Sequence, residues 1–181
     1  MAYLDLAARA LLGFVMALAV VGKLSSSANW RQFIRSLDSF SWVPRPLRPA
    51  IAVAVVVAEA AVTILLVPPS TERVGAALGA LLLIVLSAAL VAARIAGRDV
   101  RCACFGADDR PVGAWHLIRN AVLVLVAVAV AVHHPTSVQA VPGALAGLAV
   151  TAGAVCAVIL THPGELAFLV VPARSDVRRS G

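Results

Sequence analysis

The chain has 181 residues, of which 61% are hydrophobic and only 13% charged, with a mean hydropathy of +0.96. A soluble domain of this size needs a charged shell that this composition cannot supply, so a water-soluble module is excluded and a bundle embedded in the lipid bilayer is expected. The net charge of +6 does not indicate a nucleic-acid partner, because the arginines fall between apolar runs instead of along one soluble face.

In chain order, residues 4–24 predict a first membrane-spanning helix. It is read as retained and not as a cleaved signal, since no basic region precedes it and Lys23 stands where small residues would mark cleavage. Asp5 and Arg9, four apart near its start, are expected to pair on one face. Between residues 25 and 49, Trp30, Phe33, Ile34 and Leu37 recur at helical spacing with Arg31, Arg35 and Asp38 opposite. That pattern predicts a short amphipathic helix in the membrane interface. Pro44, Pro46 and Pro49 end it, and Pro49 suits the first turn of a second span over 49–67, closed by Pro68 and Pro69.

A third span is expected over 74–95, a fourth over 115–132 closed by His133-His134-Pro135, and a fifth over 141–161. The fold class is therefore an all-α integral membrane protein: a four-helix transmembrane bundle plus a fifth, C-terminal span, forming one unit over 1–171 with a frayed tail over 172–181. Gly143, Gly147 and the Gly153-Ala154 pair offer small surfaces for close helix contact in the fifth span. The paired histidines read as a solvated turn, and Cys156, in mid-helix, as a small hydrophobe.

Three groups of residues carry chemistry. The segment between the third and fourth spans holds Cys102-Ala103-Cys104-Phe105-Gly106. Two thiols one residue apart can close a small strained disulfide that exchanges readily, and Arg98, Arg101 and Arg110 nearby favour the thiolate. The alternatives are two incidental loop cysteines, or a metal site in which Cys102, Cys104 and His116 are completed by Asp108 or Asp109; redox chemistry is preferred. The second group, His116, Arg119 and Asn120, shares one face at the start of the fourth span, where it presents a proton donor and a cation. The third is Glu59, an ionisable group deep in the second span. It reads either as a proton relay or as a protonated side chain bonding across helices, with Lys23 as a partner placed rather far toward the surface.

Cys102-x-Cys104-Phe105-Gly106, followed by Gly113-x-x-His116-x-x-Arg119-Asn120, resembles the signature of the MauE family of methylamine utilisation proteins. The N-terminal half, with Gly22-Lys23-Leu24 closing the first span and Glu59 in the second, is similar to the wider DoxX-like membrane group. The resemblance covers about residues 4–132 and implies a four-helix core acting in thiol–disulfide chemistry with a thioredoxin-like partner. It further implies maturation of a disulfide-rich client such as the methylamine dehydrogenase small subunit. On that reading Cys102 and Cys104 cycle between dithiol and disulfide, His116 assists proton transfer, and Arg101 and Arg119 favour the thiolate. The order of parts is also similar to the vitamin K epoxide reductase bundle, and that likeness of layout is the sole ground for considering a quinone. A non-enzymatic assembly factor and, behind it, a small-molecule transporter relying on Glu59 are the alternative functions. Thirteen of the fifteen basic residues fall on the side carrying the cysteine segment, which the positive-inside rule puts in the cytoplasm, while the family's link to exported, disulfide-rich proteins points to the opposite side.

Overall fold

The computed structural model describes residues 2–40, 42–97, 114–132 and 142–161. Among these residues the chain forms six helices: α1 (Ala2–Leu24), α2 (Ser27–Ser36), α3 (Arg48–Leu65), α4 (Glu72–Ile95), α5 (Ala114–Val132) and α6 (Gly143–Thr161). All but α2 are long and apolar enough to cross a membrane, and the chain is a multi-pass membrane protein. Val57, Leu125 and Leu148 face outward, more than half exposed, while Arg9, Lys23, Glu59, Glu72 and Arg119 are buried. This inverted distribution is what a bilayer selects, since lipid accepts apolar side chains and charge must be satisfied inside.

The amphipathic stretch is α2, and its position is set locally. Ser26 is its N-cap and accepts from the Asn29 backbone N–H at 3.1 Å. The Asn29 amide in turn donates to the Gly22 carbonyl (3.0 Å) and to Ser25 Oγ (2.8 Å), tying the start of α2 to the end of α1. Two single turns of 3-10 helix, Leu37–Ser39 and Arg45–Leu47, carry the chain to α3, and an Arg48–Asp38 ion pair bridges them. Phe33 and Leu37 are buried against Ala52 and Val56 of α3, with Val20 of α1 packed alongside. The apolar face of α2 is therefore spent on the bundle as well as available to an interface.

Elsewhere the expected boundaries shift by one to two residues. The second span stops at Leu65, before Pro68 and Pro69, and the third begins at Glu72. At the far end of α4, Gly97 takes a positive φ of 69°, a left-handed conformation that closes the helix. The central core joins Leu12, Val15 and Met16 of α1 with Val62 and Leu66 of α3, Leu83 of α4, Leu123 of α5 and Ala157 of α6.

The fifth span is no appendage, because α1 packs more extensively on α6 than on any other helix. Gly153 makes this contact close: a Cβ there would stand 2.7 Å from the Ala7 carbonyl oxygen and 2.8 Å from Ala10 Cβ. Gly143 and Gly147 have nothing within 4 Å of a built Cβ, so of the small surfaces expected in this helix the Gly153 region is the one used.

The expected Asp5–Arg9 pair does not form. Arg9 points away from its own helix and pairs with Glu72 at the start of α4 (2.6 Å), both side chains being buried. Its other Nη donates to the Leu66 (2.9 Å) and Val67 (3.1 Å) carbonyls at the end of α3. Thr71 Oγ1 donates to the Leu65 carbonyl at 2.8 Å. The carbonyls of Leu65, Leu66 and Val67 lie where α3 ends, and Pro68 and Pro69 bring no N–H, so side chains from elsewhere satisfy them. That demand outweighs a local i,i+4 pair of a few tenths of a kcal/mol.

Candidate functional site

The deepest charge in the bundle is compensated. Lys23 Nζ donates to both carboxylate oxygens of Glu59, at 2.7 and 2.8 Å, with a longer contact to the Ala19 carbonyl at 3.4 Å. Lys23 is 1% exposed and Glu59 3%. The Lys23 ammonium also lies 5.0 Å from the Phe33 ring centroid, so α2 lays an aromatic face over the pair.

The placement of Lys23 corrects the expectation that it sits too near the surface. Glu59 is the twelfth residue of α3, roughly 16 Å from that helix's start at 1.5 Å per residue. Lys23 reaches it because the last turns of α1 run beside the interior of α3, where Val20 packs with Ala52 and Val56. The segment carrying α2 and the two short turns fills the space above. A lysine at a helix end reads as superficial only when nothing is folded over that end.

Beside the pair lies a cavity of about 210 Å³. Glu59 forms part of its wall, and α5 contributes His116, Arg119 and Asn120 from the shared face expected of them. Arg119 and Asn120 are buried, His116 half-buried. Arg119 donates to Asn120 Oδ1 from Nε (3.4 Å) and Nη2 (3.1 Å), and the Asn120 amide donates to Ser87 Oγ on α4 at 3.1 Å. Apart from Ser36 the remaining wall is apolar, with Phe33, Phe40 and Trp42 from the α1–α3 segment and Leu83, Leu86 and Ala89 from α4. Phe40 and Trp42 pack ring against ring, centroids 5.4 Å apart and tilted by 60°.

Three of the candidate residues, Glu59, His116 and Arg119, thus meet at one cavity. Cys102, Cys104 and Arg101 lie outside the described residues, as do Asp108, Asp109, His133, His134 and the tail from residue 162. Among the described residues no cluster of three or more metal-ligating side chains occurs. Cys156 is exposed on the outer side of α6. Sequence reasoning missed Ser87 and the role of Phe33. A lone serine in an apolar helix was the available signal for the first. Nothing in the amphipathic pattern marked Phe33 as the ring that covers an ion pair.

The arrangement can hold a fixed pair of opposite charges, a second cation, and an imidazole against a largely apolar cavity. The segment bearing Cys102 and Cys104 leaves α4 after Gly97 and enters α5 at Ala114, two residues before His116.

Comparison with known families matches residues 1–133 to a family described as Methylamine utilisation protein MauE. No curated protein and no solved structure matches the chain. The family match ends at the close of α5, so α6 and its contact with α1 lie beyond it.

Proposed function

The chain belongs to the MauE family of methylamine utilisation proteins, and from that membership we propose that it is a membrane-embedded thiol–disulfide protein. Cys102 and Cys104 cycle between dithiol and disulfide and exchange with a thioredoxin-like partner through a mixed disulfide. In the exchange a thiolate of one protein attacks a disulfide sulfur of the other; one S–S bond forms as another breaks, and the departing thiolate takes up a proton. Arg101 and Arg119 favour the thiolate, His116 carries the proton, and Glu59 acts through Lys23 to hold the charges of the site in place. The client is a disulfide-rich protein such as the methylamine dehydrogenase small subunit.

The observation that supports this reading best is the gathering of Glu59, His116, Arg119 and Asn120 around one cavity at the start of α5, the helix into which the cysteine segment leads. A buried guanidinium and an imidazole lining the same cavity are costly to maintain in a bilayer, which is why such groups mark function more often than packing. The bidentate Lys23–Glu59 pair argues against transport, since a carboxylate held by two hydrogen bonds makes a poor relay for a moving solute.

The test is cysteine replacement read by trapping of mixed disulfides and by client maturation. Cys104→Ser abolishes both, and Cys156→Ser leaves both intact. Equal loss in the two variants contradicts the assigned roles. A Cys102→Ser/Cys104→Ser protein that still matures its client selects the assembly-factor reading.

A further inference from the structure

The end of the bundle where α1 finishes carries positive charge that the protein itself does not neutralise. Lys23 is paired there with Glu59, and Arg48 with Asp38. Arg31, Arg35, Arg45 and Arg94 at the same end are exposed and form no ion pair among the described residues. Three of these four belong to the α1–α3 segment, and the Arg48–Asp38 pair gathers them. Arg35 is three residues before Asp38 and Arg45 three before Arg48, so even an extended backbone keeps each within about 11 Å of its neighbour in that pair. Arg31 stands one helical turn before Arg35, on the same face of α2.

Apolar side chains are interleaved with this charge. Leu47 falls between Arg45 and Arg48 and is 51% exposed, and Trp42, three residues before Arg45, is 53% exposed. Arginine beside exposed Trp and Leu suits the level of a bilayer where headgroups meet hydrocarbon. An apolar channel descends from that level. Trp42 and Val43 line the cavity at the segment, and its wall on α4 runs from Leu90 to Leu83, a rise of about 10 Å. Val85, in that wall, is 55% exposed on a helix that crosses the bilayer, so the channel is open sideways to lipid. Because α4 ends on the arginine-bearing side, Leu90 is the shallow end and Leu83 the deep one. That is the course of an acyl chain hanging from a headgroup.

From this placement we propose that the α1–α3 segment and the channel below it form a binding site for an anionic phospholipid. The lipid phosphate accepts from Arg35 and Arg45, with Arg31 beside them, and one acyl chain descends past Trp42 along α4. A guanidinium offers a phosphate two parallel N–H donors, which makes arginine the fitting residue at such a rim. A zwitterionic lipid brings its own cation next to the phosphate and meets these arginines less favourably. A soluble anion answers the charge but leaves Trp42, Leu47 and the channel uncovered. The site uses neither the cysteines nor Glu59, His116 and Arg119, so it stands or falls independently of the thiol reading.

The experiment uses the full chain in phosphatidylcholine nanodiscs, with Trp30→Phe and Trp115→Phe leaving Trp42 as the sole tryptophan. Phospholipids brominated in the acyl chain quench tryptophan on contact, so Trp42 fluorescence reports which lipid lies against it. Brominated phosphatidylglycerol is expected to associate at least about tenfold more strongly than brominated phosphatidylcholine, the sum of small contributions from three arginines. Combining Arg31→Gln, Arg35→Gln and Arg45→Gln removes the preference, and the fold is not at stake, since these exposed side chains have no ion pair to lose. Ala89→Phe fills the channel from α4 and weakens association of the brominated phosphatidylglycerol at least about tenfold with the arginines intact. Equal quenching by the two lipids overturns the proposal, as does a preference that survives in the triple variant or an affinity unchanged by Ala89→Phe. Inorganic phosphate that abolishes the preference, where sodium chloride of equal ionic strength does not, assigns the arginines to a soluble anion and overturns it too.

Discussion

The two ends of α1 carry the same device in different settings. Near its start Arg9 pairs with Glu72, and near its finish Lys23 pairs with Glu59, each joining α1 to another helix through buried charge. At the first end the cation also takes up two backbone carbonyls, and the surroundings are the tight turn between α3 and α4. At the second the carboxylate borders a cavity that also holds His116, Arg119 and Asn120. The contrast teaches that buried charge in a membrane bundle is no sign of function by itself. What it satisfies decides. Arg9 answers an unmet demand of the backbone, whereas the Lys23–Glu59 pair serves no helix end and faces open volume.

Removing the cation at the structural end is the sharpest way to test this contrast, and it has the largest expected effect. Arg9→Ala leaves Glu72 buried without its partner and strips two carbonyls of a donor, so stability falls by about 3–5 kcal/mol. Unfolding titrations in mixed micelles measure it. The fraction that remains folded keeps its full thiol-exchange activity; a loss of activity per folded molecule would erase the distinction between the two ends.

At the other end a replacement that preserves volume should separate fold from function. Exchanging a whole buried ion pair for apolar residues is often neutral, so Lys23→Met with Glu59→Met changes stability by less than about 2 kcal/mol in either direction. On the proposed reading thiol exchange falls at least about tenfold, because the fixed charges bordering the cavity are gone. Rescue is not expected from the single Glu59→Met change, which strands the lysine and destabilises the protein. A double variant with wild-type exchange would make the pair purely structural, like its counterpart.

The smallest effect belongs to the ring between them. Phe33→Leu keeps the apolar contact of α2 with Ala52 and Val56 but loses the aromatic face over Lys23, a contribution of about 1 kcal/mol. The corresponding drop in the unfolding midpoint should vanish when Lys23 and Glu59 are already methionine. An unchanged penalty in that background would assign the effect to packing alone.

Much of the fold was legible because its signals are local. An apolar run of about 20 residues is a span whatever surrounds it, and the spacing of Trp30, Phe33, Ile34 and Leu37 declares a helix by itself. The face shared by His116, Arg119 and Asn120 followed from helical period in the same way, and the structure brings all three to one cavity. Glu59 was marked by its cost in lipid. Its partner was left in doubt, and Arg9 was given the wrong one, because sequence offers only neighbours three or four residues away. The true partners are 36 residues distant for Lys23 and 63 for Arg9.

Sequence by itself therefore determined the number of spans, the surface helix and the residue types available for chemistry, since length, period and desolvation cost are properties of short stretches. Only tertiary structure decided which charges meet, that α6 clasps α1 through Gly153, and that α2 closes over Lys23. The physical reason lies in the solvent. In water the buried face of a helix announces itself by being apolar, but lipid is as apolar as the core, so the faces turned inward in this bundle are chosen by small-residue packing and long-range pairing of charge, neither of which a single helix reveals.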